Sequence, residues 1–266
     1  MSTPIPVPRP PIAPPIRMPT IPPLSPTHDQ VPILYVIVVY AVVIFALWNV
    51  PGARNLINPL KLFTIGWHEL CHIAAAILTG GTVMRVCIDP DLGGATHVQG
   101  GMPTVILCAG YLGSTFFGGV LVMSGFDTLV AKIMSFIVGI GLLCPLVLVR
   151  DKLTILLTFC YEGLLIGFWF IDHGQALRWY TLFLGVMSVL YVIWDVADDK
   201  FFRKANDSDA AQFNMLYPSM GAHLWAIFWI SFQVAILTGF VLLGIACFKL
   251  TPAQMASQAA EFLPTR

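Results

Sequence analysis

Charge is scarce in this sequence. Only 11% of its 266 residues are charged, against about 25% in an ordinary soluble domain. With 57% hydrophobic residues and a mean hydropathy of +0.81, a water-soluble fold would leave too much apolar surface uncovered. An excess of either sign is missing too. Fourteen basic residues face fourteen acidic ones, so no basic field exists to attract nucleic acid, and none is expected as a partner. CxxC pairs and zinc-finger spacings are absent. The six cysteines (Cys71, Cys87, Cys108, Cys144, Cys160 and Cys247) fall mostly in apolar runs, where a free thiol behaves as a small hydrophobe. The ~10-residue alternating segments of a membrane barrel are also absent.

Residues 1–30 have their own composition. They hold eleven prolines, Arg9 and Arg17, and no acid before Asp29. Prolines at positions 4, 6, 8, 10 and 11 deny this stretch the continuous apolar core of a signal peptide. It is expected to be a disordered tail with polyproline character, open to a proline-recognising domain as a possible partner.

Seven long apolar stretches follow, at roughly 31–50, 59–79, 102–124, 129–149, 152–171, 178–196 and 222–248. Each has about the 20 residues that cross a ~30 Å hydrocarbon core. Unpaired backbone is not tolerated in lipid, so the expected fold class is an all-α polytopic membrane protein of about seven transmembrane helices. The exception is 81–101, where Thr82–Ile88 and Ala95–Gln99 read as strands around a turn-rich Asp89–Gly94. A β-hairpin or re-entrant strand pair is expected there. The polar segment Asp198–Gly221 reads as an exposed loop. The domain plan is thus a tail at 1–30, a membrane domain at 31–250 with its functional core at about 59–210, and a short C-terminal tail at 251–266. With seven spans, the basic residues near helix ends favour a cytosolic N-terminus, with the 81–101 segment on the same side. The organelle is not legible.

The second stretch contains His68-Glu69-Leu70-Cys71-His72. On a helix, residues i and i+4 share a face, so His68 and His72 can present two imidazole nitrogens to one metal ion. Glu69, beside the first, can act as general base toward water, and zinc acidifies such a water toward a pKa of ~7. By average residue usage, HExxH arises by chance in about 1 of 150 chains of this length. Its setting adds weight, because ionisable residues inside an apolar span are costly and mark function.

The chain here resembles the site-2 protease family of intramembrane zinc metallopeptidases, in its compact peptidase M50B-like branch. HELCH in an apolar helix is the first match. The second is Ala109-Gly110-Tyr111-Leu112-Gly113-Ser114, similar to the family's Gly-Pro-x-x-Asn, with Tyr111 at the proline and Ser114 at the asparagine. The third is Leu190-Tyr191-Val192-Ile193-Trp194-Asp195, similar to its Leu-Asp-Gly, with Val196 at the glycine. The resemblance covers about 59–210. It implies one zinc per chain and proteolysis of membrane-embedded substrate helices.

Two histidines need a third protein ligand, leaving the fourth position for water. Asp195, at the end of an apolar span and favoured by the resemblance, is the expected one. Asp198 and Asp199, one turn further on, are alternatives or supporting groups. His97, Glu162, Asp172, His173 and His223 are the remaining candidates, and Glu162 is alternatively a partner for Lys132. Gly93-Gly94-Ala95-Thr96 is the expected edge for an unwound substrate, since an extended peptide can add to a strand. Two other readings use the same residues: a non-catalytic scaffold derived from a protease, and a metal or proton transporter. The intact Glu69 argues against both.

Overall fold

The computed structural model describes residues 24–89, 93–148, 150–202 and 207–262, excluding the side chains of 199–202. The tail expected at 1–30 therefore lies mostly outside the described residues. All seven apolar stretches are helical. In chain order the elements are α1 (Val31–Asn49), α2 (Ala53–Leu56), α3 (Asn58–Leu78), β1 (Thr82–Asp89), β2 (Gly93–Gln99), α4 (Pro103–Ser124), α5 (Thr128–Leu143), α6 (Lys152–Phe170), α7 (Gln175–Val189), α8 (Tyr191–Phe202), α9 (Asp209–Leu216), α10 (Ala222–Cys247) and α11 (Pro252–Glu261).

Helix length and composition support five or six of the seven expected crossings among the described residues. Five helices are long and apolar enough to span a bilayer: α1, α4, α5 with its 3-10 extension to Val147, α6 and α10. The pair α7–α8, bent by 57°, counts as a sixth if it is one broken span. The helix that falls short is α3, whose 21 residues include Lys61, His68, Glu69 and His72.

Contacts between helix ends show which of them lie together. Arg178 at the start of α7 donates from Nε to the Gly125 carbonyl just past α4, at 2.9 Å. Gln30, before α1, donates to the carbonyls of Ile245 and Phe248 at the end of α10. Those four ends share one end of the bundle. At the other end, Trp48 of α1 meets Asp198 of α8, and Thr104 of α4 meets Tyr217. The chain thus leaves α1 and re-enters α4 at the same end. Between them α3 begins beside Thr154 and Tyr161 of α6 and finishes where Thr79 accepts the Met102 amide. Along its length Phe63 and Trp67 pack on Phe117 of α4. The start of α1 lies by the end of α10, and the strand pair leads into the start of α4.

At the centre, α4 packs against α3, α7 and α10. It crosses α7 at close range because neither helix carries a side chain at the contact. A Cβ on Gly118 would come within 2.9 Å of the Gly185 carbonyl, and one on Gly185 within 2.6 Å of the Val122 amide nitrogen. Small residues of this kind let membrane helices approach backbone to backbone. The expected C-terminal tail is ordered over α11. Thr251 and Gln254 form its capping box, and Lys132 of α5 donates to the Ala259 carbonyl at 2.7 Å. Lys132 thus meets the end of α11, where its positive charge complements the helix dipole, and the proposed Glu162 pairing is replaced.

The strands appear where the alternation placed them. β1 and β2 pair antiparallel from Thr82↔Gln99 to Asp89↔Gly93, with an irregularity at Met84. Residues 90–92 of the connecting turn lie outside the described residues. Both strands pack on α3, so the pair leans on the helix that carries HELCH, and β2 has β1 on one edge only among the described residues.

Candidate metal centre

His68, Glu69 and His72 are all buried on α3. The i, i+4 spacing does what helical geometry requires: the two Nε2 atoms are 3.0 Å apart. Their rings are held from three sides. His72 Nδ1 lies 2.7 Å from the Ile106 carbonyl of α4; the proton of that hydrogen bond sits on Nδ1, leaving the Nε2 lone pair for a cation. Tyr191 lies against the His68 ring at 4.5 Å between centroids. Gly110 of α4 supplies the third side by absence, since a Cβ there would strike the His72 imidazole and come within 2.6 Å of His68 Cε1.

The carboxylate that closes the group is Asp209. Its Oδ2 lies 3.1 Å from His68 Nε2 and 3.2 Å from His72 Nε2. The expected ligand was Asp195. That residue is also buried beside the cleft, but its Oδ2 accepts the Tyr111 hydroxyl at 2.7 Å. The same hydroxyl accepts from the Ala210 amide at 3.3 Å, which ties Asp195 to the backbone next to Asp209. Asp198 accepts from Trp48 Nε1 at 2.7 Å and lies 3.7 Å from Arg54. The Asp199 side chain is outside the described residues. His97 sits in β2 opposite Arg85, Glu162 in α6, Asp172 and His173 in the turn before α7, and His223 at the start of α10. Among the described residues, none of these joins the cluster of close ligand atoms, which is built on His68, Glu69 and His72.

Asp209 was missed because it lies in the polar segment read as an exposed loop. In the structure that segment folds back as α9. Ser208 caps the helix by accepting from the Ala211 amide, and Phe213 is buried against Trp225 and Trp229. A legible signal was present, since Ser-Asp ahead of a short apolar run is a helix N-terminus. Burial pushes the Asp209 carboxyl up, but the charges of His72 and His68 outweigh it and hold the group well below the usual carboxylate range.

The donor set fits zinc. Two imidazole nitrogens and one carboxylate oxygen form a triangle with edges of 3.0, 3.1 and 3.2 Å. Tetrahedral zinc with bonds of about 2.0–2.1 Å sets its ligands ~3.3 Å apart. Asp209 Oδ2 is buried with the two imidazole nitrogens as its neighbours, an arrangement of three donor atoms that a shared cation would satisfy. Glu69 stands at the side, within 4.8 Å of the imidazole nitrogens. Thr96 of β2 donates to its Oε2 at 2.5 Å, and a Cβ on Gly94 would fall within 2.6 Å of its Cδ. Of the strand residues expected at the substrate, Gly94, Ala95 and Thr96 line a cleft of about 230 Å³ with the metal-site residues. Gly93 pairs with Asp89 at the strand's start.

Comparison with known proteins gives the family of the chain. The family description "Peptidase M50B-like" matches residues 37–240, most of the chain. The chain belongs to the peptidase M50B-like family, within the site-2 protease group. The match runs from α1 through most of α10 and so includes Asp209, beyond the 59–210 core only by its flanking helices. No curated protein and no solved structure matches the chain. This M50B-like protein is a multi-pass membrane protein of a peptidase family.

Proposed function

We propose that the protein is an intramembrane zinc metalloprotease that hydrolyses a peptide bond in a membrane-embedded segment. The observation that carries this reading is the His68–His72–Asp209 triangle with Glu69 beside it. One zinc per chain would be held by those three residues, and zinc, when bound, supplies Lewis acidity at neutral pH. Glu69 takes a proton from the attacking water and returns it to the departing amide nitrogen. The Thr96 hydrogen bond and the lack of a side chain at Gly94 keep its carboxylate in one position for both transfers. The Ile106 carbonyl holds the His72 ring in the required tautomer.

A transmembrane helix cannot be cut while its carbonyls are paired internally, so the substrate must be extended over a few residues. The free edge of β2, running along the cleft at Gly94–Thr96, offers main-chain partners for that form. The cleft opens at the end of the bundle that holds α2, the strand pair and the starts of α4, α6 and α10. The flanking basic residues Arg54, Arg85, Arg150, Lys152 and Lys200 belong to that end, while Arg178 and Lys249 belong to the other. By the positive-inside rule the metal site faces the cytosol.

The deciding experiment is cleavage of a model transmembrane segment by the purified, zinc-loaded protein in liposomes. Wild type should cleave. Glu69→Gln should bind the same zinc and lose about 10²–10⁴-fold in rate. An active Glu69→Gln enzyme would refute the hydrolytic role and favour a scaffold or a transporter.

A further inference from the structure

A second cavity lies on the other face of the HELCH helix. It measures about 360 Å³ and is walled by α3, β1, α5 and the 3-10 turn after it. Phe63, Trp67, Leu70, Ile88, Ile140 and Leu148 are among its lining, and Glu69 is the one charged residue there. Glu69 also lines the metal-side cleft. The two spaces therefore meet at the residue assigned as general base. The rim is open sideways, since Leu70, Ile140 and Leu148 are 51%, 66% and 49% exposed.

The floor is kept low by a glycine without a steric reason for it. A Cβ on Gly66 would meet only Ile88 Cδ1 at 3.7 Å and Pro145 Cγ at 3.8 Å, both ordinary contacts. Glycine inside a helix costs about 0.8–1.0 kcal/mol relative to alanine, and here no packing clash demands it. What a side chain at Gly66 would take away is cavity. Its volume falls within the ~300–1,000 Å³ typical of ligand pockets.

We propose that this cavity receives a large aliphatic or aromatic side chain of the substrate, next to the bond that is cut, and so sets sequence specificity. The inference rests on the protease reading. Side chains of an extended peptide alternate in direction. On a segment held at the metal-side cleft, a side chain directed toward α3 reaches the cavity past Glu69, the residue that lines both spaces. The occupant enters from the bilayer, past Leu70 and Leu148, without crossing water.

The test compares otherwise identical transmembrane peptides carrying Leu, Phe, Ala or Asp at each position around the cleaved bond. Cleavage is read with zinc-loaded wild type. Binding is read with the zinc-loaded Glu69→Gln protein, which does not depend on turnover. We expect one position to prefer Leu or Phe over Ala by about 10-fold or more. Gly66→Leu should abolish or invert that preference in both assays while zinc content stays at the wild-type level. Gly66→Ala, the milder change should Gly66→Leu fail to fold, should reduce it. Equal handling of all peptides by wild type, or an unchanged preference in Gly66→Leu and Gly66→Ala, would overturn the inference and leave the cavity as a lipid acyl-chain site. Selective binding without cleavage by wild type would instead overturn the protease reading and leave the cavity as a peptide site.

Discussion

Tyr111 and Asp195 are joined by a buried 2.7 Å hydrogen bond, and the Tyr111 hydroxyl also receives the Ala210 amide at 3.3 Å. The first contact holds α8 to α4, and the second holds the start of α9 to the same point. Asp209 is one residue from that anchor. Asp195 therefore acts on the metal centre through Tyr111, by fixing the backbone that presents Asp209. Outer groups of this kind typically change metal affinity 10–100-fold when removed.

Tyr111→Phe keeps the ring against His68 and removes both hydrogen bonds. Zinc affinity, measured by chelator competition, should fall by about 10–100-fold with the site still able to fill at high zinc. An unchanged affinity would show that α9 is positioned by its aromatic packing alone.

The two aspartates should separate cleanly. Asp209→Asn replaces an anionic donor and should leave the purified protein without stoichiometric zinc. Asp195→Asn retains an acceptor for Tyr111 and should keep it. The order is opposite to the one the sequence suggested, and stoichiometric zinc in Asp209→Asn would restore the earlier assignment.

That reversal shows what the sequence could and could not disclose. Seven helices, two strands and the pairing of His68 with His72 follow from hydropathy, alternation and the i, i+4 rule, all of which are local. The packing of α3 is not local. A 21-residue apolar helix reads as a span, and only its contacts with Phe117 of α4 show how it lies in the bundle. Asp209 was hidden by the opposite error. The search for a ligand stayed inside apolar spans, where a carboxylate is costly. The carboxylate that lies against both imidazoles comes from a polar stretch that folds back over the site on Phe213. Asp195 looked like a ligand because a buried carboxylate needs a partner, and its partner is a hydroxyl.

Gly110→Ala tests the packing of α4 on the two imidazoles. The added methyl has no room beside His72 and His68, so the helices must separate or a ring must turn. Zinc content and thermal stability should both fall. Overpacking of this kind typically costs about 1–3 kcal/mol. Wild-type zinc content in Gly110→Ala would mean that the rings are less constrained than the structure shows.

Thr96→Val removes the hydroxyl that holds Glu69 and keeps the shape of the strand. Zinc should be retained and kcat should fall by about 10–100-fold, since one hydrogen bond to a charged group contributes about 1.5–3 kcal/mol. Thr96→Ser should recover most of the rate. Loss of zinc in Thr96→Val would place Thr96 in the metal site itself.

The most direct test of the whole account is the zinc content of the purified protein, measured by elemental analysis after dialysis against a chelator. Wild type and Glu69→Gln should each hold one zinc per chain, and His68→Ala, His72→Ala and Asp209→Ala should hold none. Full zinc in any of the last three, or no zinc in wild type reloaded at neutral pH, would contradict the metal centre built on His68, His72 and Asp209.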